Sequence, residues 1–169
     1  KDICKLIKGN KKNIIYREVK PLYKIKLRDL ANKILSFKKS RKDLLIPNVG
    51  KGLNKKLYST YISFLKKNDF SYPLKEYVDE RGKFVEVLKN NNSGQIAYFT
   101  AHPGNTRGGH YHNTKSEKFV VIHGKAKFIF KNLKSGEKFE TFADSKNLKV
   151  VDSIPGWIHN ITNVGDQEL

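Results

Sequence analysis

The sequence predicts a mainly β domain, an antiparallel barrel or sandwich, preceded by a small and mostly helical segment. Residues 1–70 place apolar side chains at helical spacing, whereas residues 71–169 form short alternating segments broken by Gly, Asn and Pro. Many short strands at close, regular spacing are typical of antiparallel barrels and sandwiches. Hydrophobic residues make up 38% of the chain, which is enough for a real core. We place the domain boundary within residues 69–73.

Four elements are predicted in the first 70 residues. Residues 2–8 resemble the tail of a helix, and residues 13–19 alternate like a strand. Apolar residues then recur at helical spacing over residues 27–37 and 53–65, with a loop around Pro47 between them. We interpret the two apolar stripes as packing faces.

Seven strands are predicted in the second part of the chain. They cover residues 84–88, 95–101, 118–122, 125–130, 138–142, 148–153 and 157–162. The Asn-rich stretch 89–94 is a predicted loop, and Ser135-Gly136 is a predicted hairpin turn.

Composition restricts the classes of function. The formal net charge is +18, and basic surfaces bind nucleic acid by releasing counterions from its phosphates. Because the lysines are scattered and no RNA-binding signature or helix-turn-helix accompanies them, we do not expect a nucleic-acid partner. The single cysteine, Cys4, excludes an internal disulfide framework and fits a reducing cytoplasm. No apolar run approaches the roughly 20 residues that span a bilayer, so no membrane partner is expected.

The most informative motif is a Gly-rich run over residues 104–124. It contains His110, His112 and Glu117, and His159 follows much later. In an extended strand residues i and i+2 point to the same face, so the first two histidines can converge on one ion. Glu117 would enter from the next turn or strand, and His159 from a distant strand. Imidazole plus carboxylate suits zinc, iron, manganese or nickel, and the mixture alone does not choose between them.

The spacing of this run resembles the first signature of the cupin superfamily, a fold of jelly-roll (double-stranded β-helix) barrels. The second signature is partial. Pro155 precedes His159 and Asn163 follows it, but the usual leading glycine is missing and Gly156 directly follows the proline. The motif therefore predicts a metal-binding barrel.

Four further residues are candidate substrate ligands. Arg81 beside a turn glycine can present a planar fork of donors to a phosphate, or it can simply occupy a surface turn. Arg107, in the Gly-rich loop, could bind a second phosphate oxygen or brace the site. Trp157 could form an apolar or stacking wall, and Lys118 is the fourth candidate.

Tyr16 and Lys20 have the Tyr-x-x-x-Lys spacing of short-chain dehydrogenases. We reject this match because the pair lies on a predicted strand that runs into Pro21. Only a helix would bring residues four apart together. No glycine-rich dinucleotide loop precedes the pair.

The chain resembles the C-terminal cupin domain of bifunctional capsular-polysaccharide reductase/epimerases. The resemblance is carried by Phe70-Ser-Tyr-Pro-Leu-Lys, Asp79-Glu-Arg-Gly, Thr100-Ala-His-Pro-Gly, Arg107-Gly-Gly-His-Tyr-His and Pro155-Gly-Trp-Ile-His-Asn-Ile-Thr-Asn. Enzymes of that family act on UDP-linked deoxyamino sugars on the route to UDP-N-acetyl-L-fucosamine. An N-terminal short-chain dehydrogenase domain reduces a 4-keto group with NADPH, and the cupin domain inverts C3.

The resemblance has several implications. Residues 1–70 would be the C-terminal, substrate-side remnant of a dehydrogenase domain, and residues 71–169 a cupin domain lacking its last strand or strands. The chain would be a sugar-nucleotide 3-epimerase that binds a UDP-sugar and a divalent metal, with zinc as our first choice. NADPH and reductase activity would belong only to the full-length protein. A cytoplasmic homodimer is expected.

Two hypotheses remain for the base. The run also resembles metal-free dTDP-4-keto-sugar epimerases, in which the residue matching His110 is the base and those matching Arg81 and Arg107 hold the diphosphate. A metal-bound imidazole has no lone pair left to accept a proton, so His110 cannot be both ligand and base. If it is a ligand, the metal polarises the C4 carbonyl and the base is His102, Tyr98 or Tyr111. If it is the base, the metal is structural or absent.

Other classes of function stay open at this stage. A cupin fold also hosts non-catalytic sugar-nucleotide or partner-binding modules, metal-dependent oxygenases and small-sugar isomerases. The pair Arg81 and Arg107 argues against the last two, because their substrates often lack a diphosphate.

Overall fold

The computed structural model describes residues 20–169. The helix tail predicted at residues 2–8 and the strand predicted at 13–19 lie outside the described residues, as do Cys4 and Tyr16. The chain divides into two compact units, Lys1–Ser71 and Tyr72–Leu169.

In the described part of the first unit, residues 20–71, there are two helices, α1 (Leu27–Lys42) and α2 (Gly52–Ser63), followed by a 3-10 turn at Lys67–Asp69. The aromatic ring of Phe37, buried on α1, packs against the Tyr58 and Tyr61 rings of α2 at centroid distances of 5.2 and 6.0 Å. Both predicted helices are confirmed, and α1 continues beyond the predicted residue 37.

In α1, Asp29 lies in the first turn and basic residues fill the last turn, an arrangement that the helix dipole favours. No helix within residues 20–169 is long and apolar enough to cross a membrane.

The second unit contains nine strands in three antiparallel sheets. The strands are β1 (Glu76–Asp79), β2 (Gly82–Asn90), β3 (Gly94–Phe99), β4 (Thr106–His110), β5 (Glu117–Phe119), β6 (Lys125–Asn132), β7 (Lys138–Asp144), β8 (Val151–Ser153) and β9 (Trp157–Asn163). Their orders are β1-β2-β3, β4-β9-β6-β7 and β5-β8.

The mainly β prediction is confirmed, and all seven predicted strands are present. Two strands were not predicted. β1 is exposed along its whole length, and β4 consists largely of glycine and polar residues, so neither carries an apolar alternation. β5 and β8 are shorter than the strands predicted at 118–122 and 148–153.

The core lies on one face of the paired strands β6 and β9. Along β6, Ala126, Phe128 and Phe130 are buried and alternate with more exposed residues. Phe128 pairs with Ile161, and Phe130 with His159, so the histidine lies in the same layer as the apolar core. The third sheet adds Val151 and Phe119 to this cluster. A buried histidine among these apolar residues is a candidate functional residue.

Candidate metal centre

His110 reaches the core face because β4 contains a bulge. Arg107 pairs with Ile161 of β9, and His110 pairs with His159, although three residue steps on β4 correspond to two on β9. The extra residue, Gly109, restores the alternation, so Arg107 and His110 both face the side on which Ile161 and His159 are buried. The His110 and His159 ring centroids are 4.7 Å apart.

The approach of β4 to β9 at this point requires glycine. Gly108 has φ +107°, and a Cβ atom added there would lie 2.3 Å from the backbone oxygen of His159. A side chain at position 108 would therefore displace β4 from β9, the strand that carries His159.

We expect Gly108→Ala to lower the free energy of unfolding well beyond the cost of a positive φ alone. The matched control is Gly136→Ala, because Gly136 also has a positive φ, +72°, but has open space around it. That control is expected to cost about 1–2 kcal/mol. Equal denaturant midpoints for the two variants would contradict the close approach.

His112 joins the cluster from outside the strand. His110 and His112 converge as predicted, but not from one strand face, because β4 ends at His110 and His112 lies in the connection to β5. The His112 ring is nevertheless 5.0 Å from that of His110, centroid to centroid. The amide of Gly156 donates a 2.9 Å hydrogen bond to the His112 carbonyl, which ties this connection to the β8–β9 turn.

Glu117, the first residue of β5, brings a carboxylate to the histidines. Its Oε2 atom lies 3.3 Å from His112 Nε2 and 3.4 Å from His159 Nε2. The ligand atoms of His110, His112 and Glu117 all lie within 4.8 Å of one another. Two bonds of about 2.1 Å at a tetrahedral angle place their ligand atoms roughly 3.4 Å apart, so the spacing suits a shared cation. The four residues, called the ligand set below, are His110, His112, Glu117 and His159.

The polar atoms of the ligand set are placed to bind a metal and do not satisfy one another by hydrogen bonds. His112 Nε2 and Glu117 Oε2 are buried, and among the described residues neither has a hydrogen-bond partner. Buried polar atoms without partners are costly, and a cation placed between them would satisfy both. Two imidazole nitrogens aimed at one carboxylate oxygen thus support metal binding.

The charge states of Glu117 and His159 also suit ligation, which needs a carboxylate and a neutral imidazole. Burial raises the pKa of Glu117, but the hydrogen bond and charge of Lys115, helped by the nearby histidines, bring it below its ordinary value. Burial lowers the pKa of His159, and the attraction of Glu117 only partly opposes this. At neutral pH Glu117 is therefore ionised and His159 keeps its lone pair.

His159 is held by residues that sequence reasoning missed. Its side chain is 2% exposed, and its ring lies between the Phe119 and Phe130 rings at centroid distances of 5.6 and 6.4 Å. Ser153 Oγ, on β8, lies 3.2 Å from His159 Nδ1. If Nε2 binds a metal, Nδ1 carries the proton and donates to Ser153, which fixes the ring orientation. No sequence signal marks Ser153.

Both arginines that are candidate phosphate ligands contact one carboxylate, that of Asp79. Asp79 Oδ2 lies 2.6 Å from Arg81 Nη2 and 3.3 Å from Arg107 Nη1, and the hydrogen bond from Arg81 lowers the pKa of Asp79. Arg107 Nε also donates to the Thr100 carbonyl at 3.1 Å. The Arg107 side chain is 13% exposed, against 46% for Arg81. The Arg107 Nη2 atom is buried and has no hydrogen-bond partner among the described residues, so both predicted roles of Arg107, bracing and phosphate binding, stay open; Asp79 was not predicted.

Residues 77–169 match the family described as the polysaccharide biosynthesis C-terminal domain. This chain belongs to that family. It is 46% identical over 165 residues to the UDP-2-acetamido-2,6-beta-L-arabino-hexul-4-ose reductase of Pseudomonas aeruginosa. That match covers 98% of this chain and 44% of the relative.

Two solved structures are similar in fold and sequence. The capsular polysaccharide assembling protein CapF from Staphylococcus aureus has a TM-score of 0.85 and 38% identity, over 98% of this chain and 45% of that one. CapF with the inhibitor 3-isopropenyl-tropolone has a TM-score of 0.85 and 40% identity, over 89% and 43%. The chain spans less than half the length of these relatives. The predicted cupin barrel and the predicted resemblance to capsular-polysaccharide proteins are confirmed.

The remaining substrate candidates in this polysaccharide-biosynthesis domain have different positions. Trp157 lies on the same face of β9 as His159 and lines a cavity of about 310 Å³ whose lining includes no member of the ligand set, so its role as a wall of the substrate site stays a prediction. Lys118 alternates with Glu117 and Phe119 on β5, so it faces away from the ligand set, where it pairs with Asp152 of β8. Its role as a substrate ligand stays a prediction, on the face of β5 opposite the ligand set.

The candidate bases are also dispersed. His102 is half exposed, and its Nδ1 lies 3.7 Å from Glu168 Oε1. Tyr98 precedes Phe99 on β3, and because Phe99 packs against the core, Tyr98 faces the other side of the sheet. Tyr111, between His110 and His112 in sequence, is 46% exposed. Of the three, Tyr111 is the one next to the ligand set along the chain.

Proposed function

We propose that the Tyr72–Leu169 unit inverts C3 of a UDP-linked 4-keto-deoxy-N-acetylamino sugar. The observation that carries the proposal is the ligand set, whose exposure runs from the exposed His110 to the buried His159 and which contains a buried nitrogen and a buried oxygen atom without hydrogen-bond partners. The Pseudomonas relative supports the substrate class, because its name contains a UDP-linked 2-acetamido hexul-4-ose, a sugar with a ketone at C4. In the whole protein an upstream dehydrogenase domain would then reduce that ketone with NADPH.

The chemistry follows from the acidity of a hydrogen beside a ketone. Inversion requires removal of the C3 proton and its return to the opposite face, and the barrier falls when the enolate oxygen is stabilised. A divalent cation in the ligand set, zinc in our proposal, would supply that stabilisation as a Lewis acid. The bound tropolone inhibitor of CapF fits this view, since tropolones carry adjacent carbonyl and hydroxyl oxygens that suit a divalent cation.

The chain's own residues take three roles in this proposal. Phe119 and Phe130 surround His159 and keep water from the buried side of the site. Tyr111 moves the proton, because it is solvent-accessible and adjoins the ligand set in sequence. Arg81, which is half exposed, contacts the diphosphate, while Arg107 braces β4, the strand that carries His110.

The proposal also covers the cellular setting. A homodimer in the cytoplasm fits the family resemblance and the lone cysteine, and no nucleic acid or membrane partner is included. The net positive charge would help to attract a sugar nucleotide.

Solvent exchange tests the proposed reaction. We expect the full chain, loaded with Zn²⁺ and incubated in D₂O with a UDP-linked 4-keto sugar, to place deuterium at C3, as detected by mass spectrometry and proton NMR. Exchange should stop after chelation and resume when Zn²⁺ is returned. A folded, metal-loaded protein that binds the sugar nucleotide without any C3 exchange would support the non-catalytic binding module instead.

A further inference from the structure

Lys115 forms a contact that the proposed reaction does not use. It lies between β4 and β5, and its Nζ atom is 2.7 Å from Glu117 Oε1. The other carboxylate oxygen, Oε2, faces the Nε2 atoms of His112 and His159. We propose that Lys115 is a positioning residue that holds Glu117 as a one-oxygen metal ligand. This inference rests on the metal site of the proposed function.

The backbone does not determine which carboxylate oxygen of Glu117 faces the histidines, because that depends on the last side-chain torsion. Pairing of Glu117 with Ser153 fixes the start of β5, but rotation about the last side-chain bond is broad and nearly two-fold. Either oxygen, or both, could then face the histidines. A charge-assisted hydrogen bond from Lys115 to one oxygen leaves the other for the cation.

The Lys115 contact joins an exposed lysine to a largely buried carboxylate. The Lys115 side chain is 52% exposed, whereas that of Glu117 is 20% exposed. Exposed ion pairs contribute little to folding, so the expected effect is on the geometry of the metal site and not on stability.

Simple electrostatics predicts an effect of the opposite sign. Lys115 carries a positive charge close to a site for a divalent cation, so its removal should relieve repulsion and strengthen metal binding. A positioning role predicts weaker binding on removal, because Glu117 must then be ordered by the metal alone. The sign of the change in affinity therefore separates the two explanations.

Co²⁺ titration of the metal-stripped full chain measures this sign. We expect Lys115→Met to raise the dissociation constant of Co²⁺ about 10-fold or more, the usual effect of removing a partner of a metal ligand. The visible absorption band of bound Co²⁺ should also change, because the carboxylate is free to bind through both oxygens. Lys115→Arg keeps a donor and should stay close to the unsubstituted chain.

Lys118→Met is the matched control, since Lys118 is a nearby lysine that faces the opposite side of β5 and pairs with Asp152. It should leave both the affinity and the spectrum unchanged, and thermal unfolding in chelator should be the same for all variants. Unchanged or tighter Co²⁺ binding by Lys115→Met would overturn the inference, as would equal weakening by Lys118→Met.

Failure of the inference can be told apart from failure of the proposed function. If the unsubstituted chain binds no Co²⁺, the metal site and the inference fall together. If Lys115→Met weakens Co²⁺ binding but no variant exchanges C3, positioning by Lys115 stands and the epimerase function falls.

Discussion

Replacing His112 with alanine is expected to abolish tight metal binding and C3 exchange together. The variant removes an imidazole whose Nε2 atom is buried, lacks a hydrogen-bond partner and lies 3.3 Å from Glu117 Oε2. Because direct ligands contribute more than their outer partners, the affinity for Zn²⁺ should fall by more than about 100-fold. Isothermal titration with Zn²⁺ and deuterium exchange at C3 measure the two effects.

The control for this prediction is His123→Ala. His123 is exposed, lies outside the ligand set, and contacts the Glu168 carbonyl through Nδ1. It should retain both Zn²⁺ binding and exchange. Full exchange by a folded, metal-free His112→Ala variant would instead favour the second hypothesis, in which His110 is the base and the metal is dispensable.

The second large effect is expected from Arg107→Met, and it concerns stability. Arg107 is mostly buried, and its loss leaves Asp79 without one of its two arginine partners and the Thr100 carbonyl without its donor. Because the carboxylate is partly exposed, we expect a cost of about 2–3 kcal/mol, below that of breaking a fully buried pair. Urea denaturation measures the change.

Arg81→Met separates bracing from phosphate binding. Arg81 is more exposed, so its replacement should change stability much less than that of Arg107 while raising KM for the UDP-sugar. A stable Arg107→Met variant with a raised KM would restore Arg107 to the phosphate-binding role predicted from the motif.

Motif spacing identified the members of the ligand set but not the way in which the chain assembles them. The spacing singled out four residues whose side chains the structure brings close together. The way in which the backbone brings His110 and His112 together differs from the simple strand alternation that was predicted. The Gly109 bulge turns His110 to the core face, and His112 arrives from beyond the end of β4. A bulge depends on pairing with β9, more than 40 residues away, so no local pattern reveals it.

The residues that support the site were beyond sequence reasoning for a related reason. Asp79, Ser153 and Lys115 are of residue types that are common on protein surfaces. Their roles depend on contacts between distant strands or on one side-chain torsion. Lys118, a neighbour of Glu117 in sequence, faces away from the ligand set because one residue of offset on a strand reverses the face. The apolar alternation of β6 and β9, by contrast, is a local signal, and both strands were predicted.

Anomalous diffraction at the zinc edge, from crystals of the full chain grown with Zn²⁺, tests most directly whether the three imidazoles and Glu117 hold one cation. The expected result is a single strong peak about 2.0–2.2 Å from a nitrogen of each histidine and from Glu117 Oε2. A map with no peak among these four side chains, or with zinc bound elsewhere on the unit, would contradict the account.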